Sequence, residues 1–310
     1  MVEALSPRGK TMYDLVIVGG GPAGLTAAAY ALHKRIETLL ICEDLGGKVN
    51  HQLKLKGFEG HEIITGADVV EKFKLQLEYL RFAHRTDHVA KLEPSEGGFT
   101  VLTQSGERFQ TRTALMATGV APRRVDVPGE KRLIGRGLSY SAISHAQLFI
   151  EKEASVFGSG GRALRAAAEL ADIAKRVHLL LPDRGDAESP FGKKLRALPN
   201  VTMHEDAELL EIRGEQFVES IVLQSRGVTK EIPVAGIFIE LGLIPNSQPV
   251  ADLGVTDSQG RIVVDCKCAT SCPGLFGAGD VTNIFIEQVM ICIGEGAKAA
   301  LNAYEYLLTL

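Results

Sequence analysis

The chain contains no tryptophan, and aromatic residues make up only 6% of its 310 residues. A hydrophobic core in this protein must therefore be built mainly from aliphatic side chains. Glycine, in contrast, is abundant, with 33 residues, or about 11% of the chain against about 7% in average proteins. An aliphatic core combined with many glycines is typical of parallel sheets joined by tight turns.

An excess of charge of one sign is also missing. The 34 basic and 38 acidic residues give a formal net charge of -4, which argues against a nucleic-acid partner. No apolar run reaches the roughly 18 residues that a membrane-spanning helix requires, and residues 1–11 carry no hydrophobic signal segment. We therefore expect a cytoplasmic protein that binds neither nucleic acid nor membrane.

The first part of the chain reads as a strand, a glycine turn, a helix and a second strand. Residues 14–18 predict a strand that ends at the turn 19–24, and residues 25–33 predict the helix. The second strand is predicted at residues 38–42. This order is the beginning of a nucleotide-binding fold.

A second unit of the same kind begins about 140 residues later in the chain. It has a predicted strand at 154–157, a glycine turn at 158–161, a helix at 163–174 and a strand at 177–181. The repetition indicates two nucleotide-binding lobes.

Gly/Pro turns at 119–124 and 242–246 bracket the second unit, as interdomain crossovers do. A long predicted helix at 288–308 completes the chain. We therefore expect an α/β protein with two Rossmann-like dinucleotide-binding domains, the second inserted into the first. The predicted domains are residues 1–122 with 247–310, and residues 123–246.

The first glycine turn has the spacing of a dinucleotide-binding fingerprint. Gly19 permits the tight turn, Gly21 lets the backbone approach a pyrophosphate, and Gly24 lets the helix pack against the strand. A pyrophosphate there would meet the N–H groups at the start of the helix. Glu43 follows the second strand and is positioned to accept hydrogen bonds from a ribose. The alternative is a glycine turn required only for packing.

Two further motifs resemble a known family. Ala117-Thr118-Gly119 ends a predicted strand, and the stretch ending in Gly279-Asp280 precedes the last helix. With the first glycine turn, these motifs resemble the two-dinucleotide-binding-domain flavoproteins, and among them the low-molecular-weight thioredoxin reductases. The resemblance extends along nearly the whole chain and implies FAD in the first domain and a homodimer.

The resemblance also implies which residues surround FAD. Asp280 would bond the ribityl chain, and the helix that begins at Gln288 and Val289 would point its N-terminus at the flavin. Lys48 replaces a glutamine of the family; near the flavin it would favour the reduced anion, but it is equally consistent with a solvent-exposed surface lysine. The implied FAD-site residues are Gly19, Gly21, Pro22, Ala23, Gly24, Glu43, Gly47, Lys48, Ala117, Thr118, Gly119, Gly279, Asp280, Gln288 and Val289.

The chain departs from the family at the redox dithiol. Ser141 and Ser144 stand where thioredoxin reductases carry two cysteines, and His145 stands where they carry an acid. A serine hydroxyl cannot form a disulfide, so the family's dithiol relay is not expected here. His145 is a candidate proton donor, or simply a solvent-exposed residue at the start of a helix.

The second unit also differs from the family, in the segment that follows its second strand. Gly158, Gly160 and Ala163 keep the fingerprint, but Asp183 replaces the basic run that holds a 2'-phosphate in the family. An acid there favours NADH over NADPH, although the adjacent Arg184 would partly restore NADPH binding. A third alternative is a lobe that binds no nicotinamide well and receives electrons from elsewhere.

Cysteine is scarce, but three of the five cysteines lie close together in the sequence. Cys42 and Cys292 lie in apolar runs and are expected to be buried reduced thiols. Cys268 and Cys272, with Cys266 nearby, are candidates for a displaced redox pair. The alternatives are small residues that fill a turn and a soft-metal site, which would lack a fourth ligand; we expect no metal.

These features predict an FAD-dependent oxidoreductase that receives electrons from NADH or a protein donor. The acceptor is left open between oxygen, a quinone, a small electrophile and a ferredoxin- or thioredoxin-like partner. The alternatives are a disulfide reductase that uses Cys268 and Cys272, and a flavin-binding sensor or scaffold without turnover.

Overall fold

The computed structural model describes residues 12–50, 53–56, 66–79, 83–183, 185–284 and 286–310. The described residues divide into two compact units. The first unit comprises those within Met1–Asn50, Glu62–Ala121 and Ile244–Leu310, and the second those within His51–His61 and Pro122–Leu243. The predicted domain limits, 1–122 with 247–310 and 123–246, stay a prediction.

Strands occupy both units. In chain order they are β1 Tyr13–Val18, β2 Thr38–Cys42, β3 His84–Thr86, β4 Val89–Ser95, β5 Gly98–Thr103, β6 Arg108–Met116, β7 Val120–Pro122, β8 Leu138–Ser139, β9 Glu153–Gly158, β10 Arg176–Leu181, β11 Val201–Glu205, β12 Ala207–Arg213, β13 Ser220–Ser225, β14 Val228–Pro233, β15 Gly236–Glu240, β16 Leu243–Pro245 and β17 Leu275–Gly277. The helices are α1 Pro22–His33, α2 Gly66–Tyr79, α3 Glu130–Leu133, α4 Ala142–His145, α5 Gly160–Ala171, α6 Pro190–Arg196 and α7 Val289–Leu307.

The first unit is built on a seven-stranded sheet with the order β3-β2-β1-β6-β5-β4, in which β17 also pairs with β6. Strands β3, β2, β1, β6 and β17 are parallel, whereas β4, β5 and β6 pair antiparallel. Alternate residues of β1 enter different hydrophobic clusters, Leu15 on one face and Val16 on the other.

Helices α1 and α7 pack on one face of this sheet through small side chains. A Cβ at Gly296 would overlap the carbonyl oxygen of Ala23, so glycine is needed for the close approach of the two helices. Ala28, Ala299 and Ala303 are fully buried in the same cluster. This packing fixes the N-terminus of α1, which follows β1, and the N-terminus of α7.

The second unit repeats this plan with a five-stranded parallel sheet of order β11-β10-β9-β15-β8. Strands β12, β13 and β14 form a separate antiparallel sheet. Helix α5 buries Ala163, Ala167 and Leu170 in the core. The α/β class with two Rossmann-like units is therefore confirmed.

Several predicted elements differ from the observed ones at their starts. The strand at 38–42 has the predicted bounds, but α1 begins at Pro22 rather than at residue 25. Helix α5 begins at Gly160 rather than at residue 163 and ends at Ala171 rather than at 174. Proline is well suited to the first position of a helix, which explains the early start of α1. No helix among the described residues is long and apolar enough to cross a membrane.

Candidate functional site

The three glycines of the fingerprint lie at the turn between β1 and α1. Two of them are required by close packing, and the third faces open space. Gly19 has φ +110°, and a Cβ there would overlap the carbonyl oxygen of Ala117. A Cβ at Gly24 would overlap the carbonyl oxygen of Gly19. At Gly21, the N-cap of α1 with φ -73°, a Cβ would meet no described atom within 4 Å. The turn therefore has room for a group above Gly21.

Another glycine turn, formed by Gly46 and Gly47 after β2, lies against the turn between β1 and α1. The Gly46 N–H donates to the carbonyl oxygen of Gly20 at 2.7 Å. Gly47 has φ +59°, and a Cβ there would lie 3.2 Å from the Cα of Gly21. This close approach brings the next residue, Lys48, to the cradle formed by the two turns.

Lys48 reaches Asp280, which follows β17. Its Nζ lies 2.6 Å from Asp280 Oδ2, and the Cys292 thiol donates to Asp280 Oδ1 at 3.1 Å. Burial, reinforced by the Asp280 charge, raises the pKa of Cys292, so this thiol stays protonated and can donate. The preceding Gly279 N–H donates to Glu295 Oε2 at 3.0 Å. Cys292 and Glu295 belong to α7, which thus fixes the Gly279-Asp280 turn.

Arg261 holds the same turn from another side. Its guanidinium donates to the carbonyl oxygens of Asp280 and Thr282 at 3.0 and 3.1 Å, and to Glu287 Oε1 at 2.7 Å. Cys292 is a buried free thiol, as predicted, but its contact with Asp280 was not foreseen. Sequence reasoning also missed Arg261 and Glu295, because no local motif links them to the residues they contact.

The start of α7 contains an unsatisfied polar group. Gln288 is the N-cap residue, and its Nε2 is buried without a hydrogen-bond partner among the described residues. Val289 begins the helix and packs against the core. A buried amide nitrogen without a protein partner is costly unless a ligand or an ordered water molecule satisfies it.

The other predicted FAD-site residues lie at the carboxyl ends of β6 and β2 and in the first turn of α1. Ala117 N–H donates to the Val18 carbonyl at 2.8 Å, and Thr118 Oγ1 donates to the Asn246 carbonyl at 2.6 Å. Gly119 has φ +67°. Glu43 is exposed after β2, with Oε1 3.1 Å from His88 Nδ1. Pro22 and Ala23 form the first turn of α1.

The donor set of the first unit fits a dinucleotide such as FAD. An uncrowded glycine turn opens a helix, an exposed acid follows the neighbouring strand, and the Gln288 amide is left without a partner among the described residues.

The second unit carries its own glycine turn between β9 and α5. A Cβ at Gly158 would overlap the carbonyl oxygen of Glu240, while Gly161 has no described atom within 4 Å of such a position. Gly160 has φ +68°, and Ala163 is fully buried. Asp183 is exposed just beyond β10. Arg184 lies outside the described residues.

Glu240 ends β15 beside this turn and is almost fully buried. Its Oε1 accepts the N–H of Ala142 at 3.2 Å, and its Oε2 lies 3.3 Å from Arg162 Nε. Burial raises the pKa of this carboxyl group, a shift that Arg162 partly offsets. Sequence reasoning missed both Glu240 and Arg162.

The segment predicted to stand where thioredoxin reductases carry their dithiol is held by hydroxyl groups. Ser141 Oγ donates to Ser144 Oγ at 3.0 Å, and His145 Nδ1 lies 2.9 Å from Ser139 Oγ. Burial lowers the pKa of His145, so its imidazole is neutral near pH 7.

The predicted cysteine pair is split between two clusters. Cys268 is fully buried on the α1/α7 face of the first sheet, and its thiol donates to the Glu295 carbonyl at 3.7 Å. Cys272 is half-buried and packs against the cluster on the other face, whereas Cys266 is exposed. Burial raises the pKa of Cys268 to about 11 and also raises that of Cys272. All five cysteines are described and none forms a disulfide; the residues described include no cluster suited to a metal.

The fold and the first glycine turn define a class of nucleotide-dependent oxidoreductases. Residues 13–302 match the family described as pyridine nucleotide-disulphide oxidoreductase, and the chain belongs to this family. Within this family, the chain resembles the thioredoxin reductases along nearly its whole length.

Three similar proteins support this assignment. The chain is 32% identical over 99% of its length to the F subunit of alkyl hydroperoxide reductase from Staphylococcus aureus, and 33% identical over 96% to an NADH dehydrogenase of Bacillus subtilis. It spans only 61% and 59% of these two relatives. A thioredoxin reductase structure from Streptococcus pyogenes superposes with a TM-score of 0.87 at 30% identity, covering 97% of this chain and 99% of that one.

Proposed function

We propose that the protein passes electrons from a reduced nicotinamide nucleotide, or from a protein donor, through FAD to an acceptor other than an intrachain dithiol. The observation that carries this proposal is the cradle of the first unit, where the space above Gly21 lies beside the Lys48–Asp280 pair. When bound, FAD supplies the two-electron chemistry.

The residues of the cradle would hold separate parts of FAD. The N–H groups at the start of α1, above Gly21, would bind the pyrophosphate, and Glu43 would accept from the adenosine ribose. Asp280 would accept from the ribityl hydroxyls. Gln288 Nε2 would donate to the flavin ring, which explains why this buried amide has no partner within the described chain.

NADH is the donor that the second unit favours. Asp183 follows β10, at the position where an acid binds the ribose 2'-hydroxyl in nucleotide-binding folds. A 2'-phosphate would bring negative charge to this carboxylate. The similarity to an NADH dehydrogenase supports the same choice.

The acceptor is proposed to differ from that of a dithiol enzyme. Ser141 and Ser144 offer hydroxyls where a dithiol would stand, and Cys268 and Cys272 pack against different clusters. Oxygen, a quinone, a small electrophile or a ferredoxin- or thioredoxin-like protein would therefore react with the reduced protein directly. A homodimer is proposed from the resemblance to thioredoxin reductases.

Anaerobic mixing tests this function. The flavin-loaded protein is mixed with NADH or NADPH while the visible flavin absorbance is followed, and then oxygen, a quinone or oxidised thioredoxin is added. We expect bleaching by NADH and reoxidation by one of these acceptors. A protein that takes up no FAD, or whose flavin is bleached by no donor, nicotinamide or reduced ferredoxin, would contradict the proposal.

A further inference from the structure

Glu240 lies at the point of the second sheet where nucleotides bind in folds of this type. The strand order β11-β10-β9-β15-β8 reverses its direction of winding between β9 and β15. Ligands occupy the crevice outside the carboxyl ends of the two strands that flank such a reversal. Glu240 ends β15 and is paired in register with Gly158, which ends β9.

The Glu240 carboxylate is joined to the nucleotide turn through Arg162. The side chain of Glu240 is 6% exposed, and that of Arg162 is 32% exposed. Arg162 lies in the first turn of α5, next to Gly161, where a Cβ would meet no described atom within 4 Å. The glycine turn therefore has a partly exposed cation on its surface and a buried acid beneath it.

A dinucleotide would bring two more negative charges to this turn through its pyrophosphate. The helix N–H groups attract them, and so does the guanidinium of Arg162, which forms strong charge-assisted hydrogen bonds with phosphates. The Glu240 carboxylate already uses Arg162 Nε and would repel the incoming phosphates.

We propose that the Glu240 carboxylate and a dinucleotide pyrophosphate compete for Arg162, so that nucleotide binding in the second unit is accompanied by uptake of a proton from solvent at Glu240. Glu240 is then a positioning residue that sets nucleotide affinity. The inference rests on the proposed function in one respect, namely that this unit binds a nicotinamide dinucleotide.

The surroundings of Glu240 favour proton uptake once Arg162 turns to the ligand. The charged groups that face it, Arg162 and Glu169, both belong to α5, and Glu169 already opposes its ionisation. Helix α4 contributes the Ala142 N–H, and β9 contributes the backbone of Gly158. Burial has already raised the pKa of this carboxyl group, and loss of the cation, whose charge lowers that pKa, shifts the equilibrium further towards the neutral form.

The test measures affinities of the flavin-loaded protein for NADH, ADP-ribose and AMP, the last lacking a pyrophosphate. Glu240→Gln should bind NADH and ADP-ribose about tenfold more tightly, with a smaller gain for AMP, whereas Arg162→Gln should bind them about tenfold more weakly. In the Arg162→Gln background, Glu240→Gln should have little further effect. Arg165→Gln, an exposed arginine on the same helix, is the matched control and should bind like the native protein.

The pH dependence of binding to native protein provides a second measurement. Its affinity for ADP-ribose should rise as the pH falls from about 8 to about 6, and calorimetry in two buffers should detect proton uptake on binding. Glu240→Gln should remove both effects. An unchanged or weaker affinity of Glu240→Gln, or binding to native protein without proton uptake, would overturn the inference.

The failure of this inference can be distinguished from that of the proposed function. If NADH bleaches the native flavin but Glu240→Gln binds like native protein, only the competition is wrong. If native protein binds no dinucleotide and Glu240→Gln does, the competition is supported and the nicotinamide donor is not. If neither the native protein nor Glu240→Gln binds ADP-ribose, the competition and the nicotinamide donor are both wrong.

Discussion

The ammonium of Lys48 lies 2.6 Å from a carboxylate oxygen of Asp280, a residue 232 positions away in the sequence. The Lys48 side chain is 49% exposed, and that of Asp280 is 11% exposed. The pair therefore links the surface loop after β2 to the acid proposed to bind the ribityl chain of FAD. The pair also places an ammonium, next to its partner carboxylate, at the proposed flavin site.

Removing this charge should make the bound flavin harder to reduce. A nearby cation stabilises the anionic reduced flavin, and because Lys48 is half exposed its effect should be about 1 kcal/mol, or about 20 mV in a two-electron midpoint potential. We expect Lys48→Met to lower the potential by this amount in a spectroelectrochemical titration. Lys34→Met, at the far end of α1, is the control and should leave the potential unchanged. An unchanged potential in Lys48→Met would place the ammonium outside the electrostatic reach of the flavin.

Gly21 should be required for FAD and not for folding. A Cβ at this position would meet no described atom, and φ is -73°, which any residue can adopt. Gly21→Val should therefore keep the unfolding free energy of the apoprotein within about 0.5 kcal/mol of native. A side chain in the space of the pyrophosphate should weaken FAD binding at least tenfold.

Two measurements check this contrast: denaturant unfolding of the apoprotein and titration with FAD. Gly24→Ala is the comparison, because its Cβ would overlap the Gly19 carbonyl and should destabilise the fold itself. Native-like FAD affinity in Gly21→Val would show that the pyrophosphate lies elsewhere.

The sequence predicted the parts of the fold that depend on local patterns. The strand at 38–42 and the end of α1 at His33 follow from apolar periodicity and flanking polar residues. The helix starts were placed too late because Pro22 and Gly160 resemble turn residues when read without their tertiary context. The antiparallel sheet of β12, β13 and β14 and the antiparallel strands β4 and β5 of the first sheet escaped prediction, since their strands show weaker patterns.

Contacts between distant segments could not be predicted. The Cys292–Asp280 hydrogen bond depends on how the irregular segment before α7 folds back, and the Glu240–Arg162 pair joins residues 78 positions apart. No spacing rule connects such residues. The locations of Gly21, Asp280 and Gln288 could be predicted from sequence only because each lies in a recognisable motif.

The cysteines should differ sharply in reactivity. Exposed Cys266 should react first with a maleimide at neutral pH, followed more slowly by half-buried Cys272. Cys268, whose pKa is raised to about 11 by burial, should react only in denaturant or at strongly alkaline pH, where its thiolate forms. Peptide mapping by mass spectrometry after timed labelling measures this order.

The same thiols test the disulfide reductase alternative. Cys268→Ser and Cys272→Ser should leave electron transfer from NADH to the acceptor unchanged, with Cys266→Ser as the control. Loss of turnover in both variants, with flavin reduction intact, would favour a dithiol relay through these two residues.

Asp183 should decide between the two nicotinamide nucleotides. A 2'-phosphate carries close to two negative charges, and like charges about 4 Å apart repel by about 1 kcal/mol in water and about 4 kcal/mol near a protein surface. We therefore expect native protein to be reduced faster by NADH than by NADPH at matched subsaturating concentrations.

Asp183→Arg should raise the affinity for NADPH at least tenfold and leave that for NADH within a few-fold, because NADH lacks the phosphate. Asp183→Asn separates the removal of repulsion from the added attraction of arginine and should give an intermediate gain. A native preference for NADPH would mean that another cation, with Arg184 the nearest in sequence, holds the phosphate despite the acid.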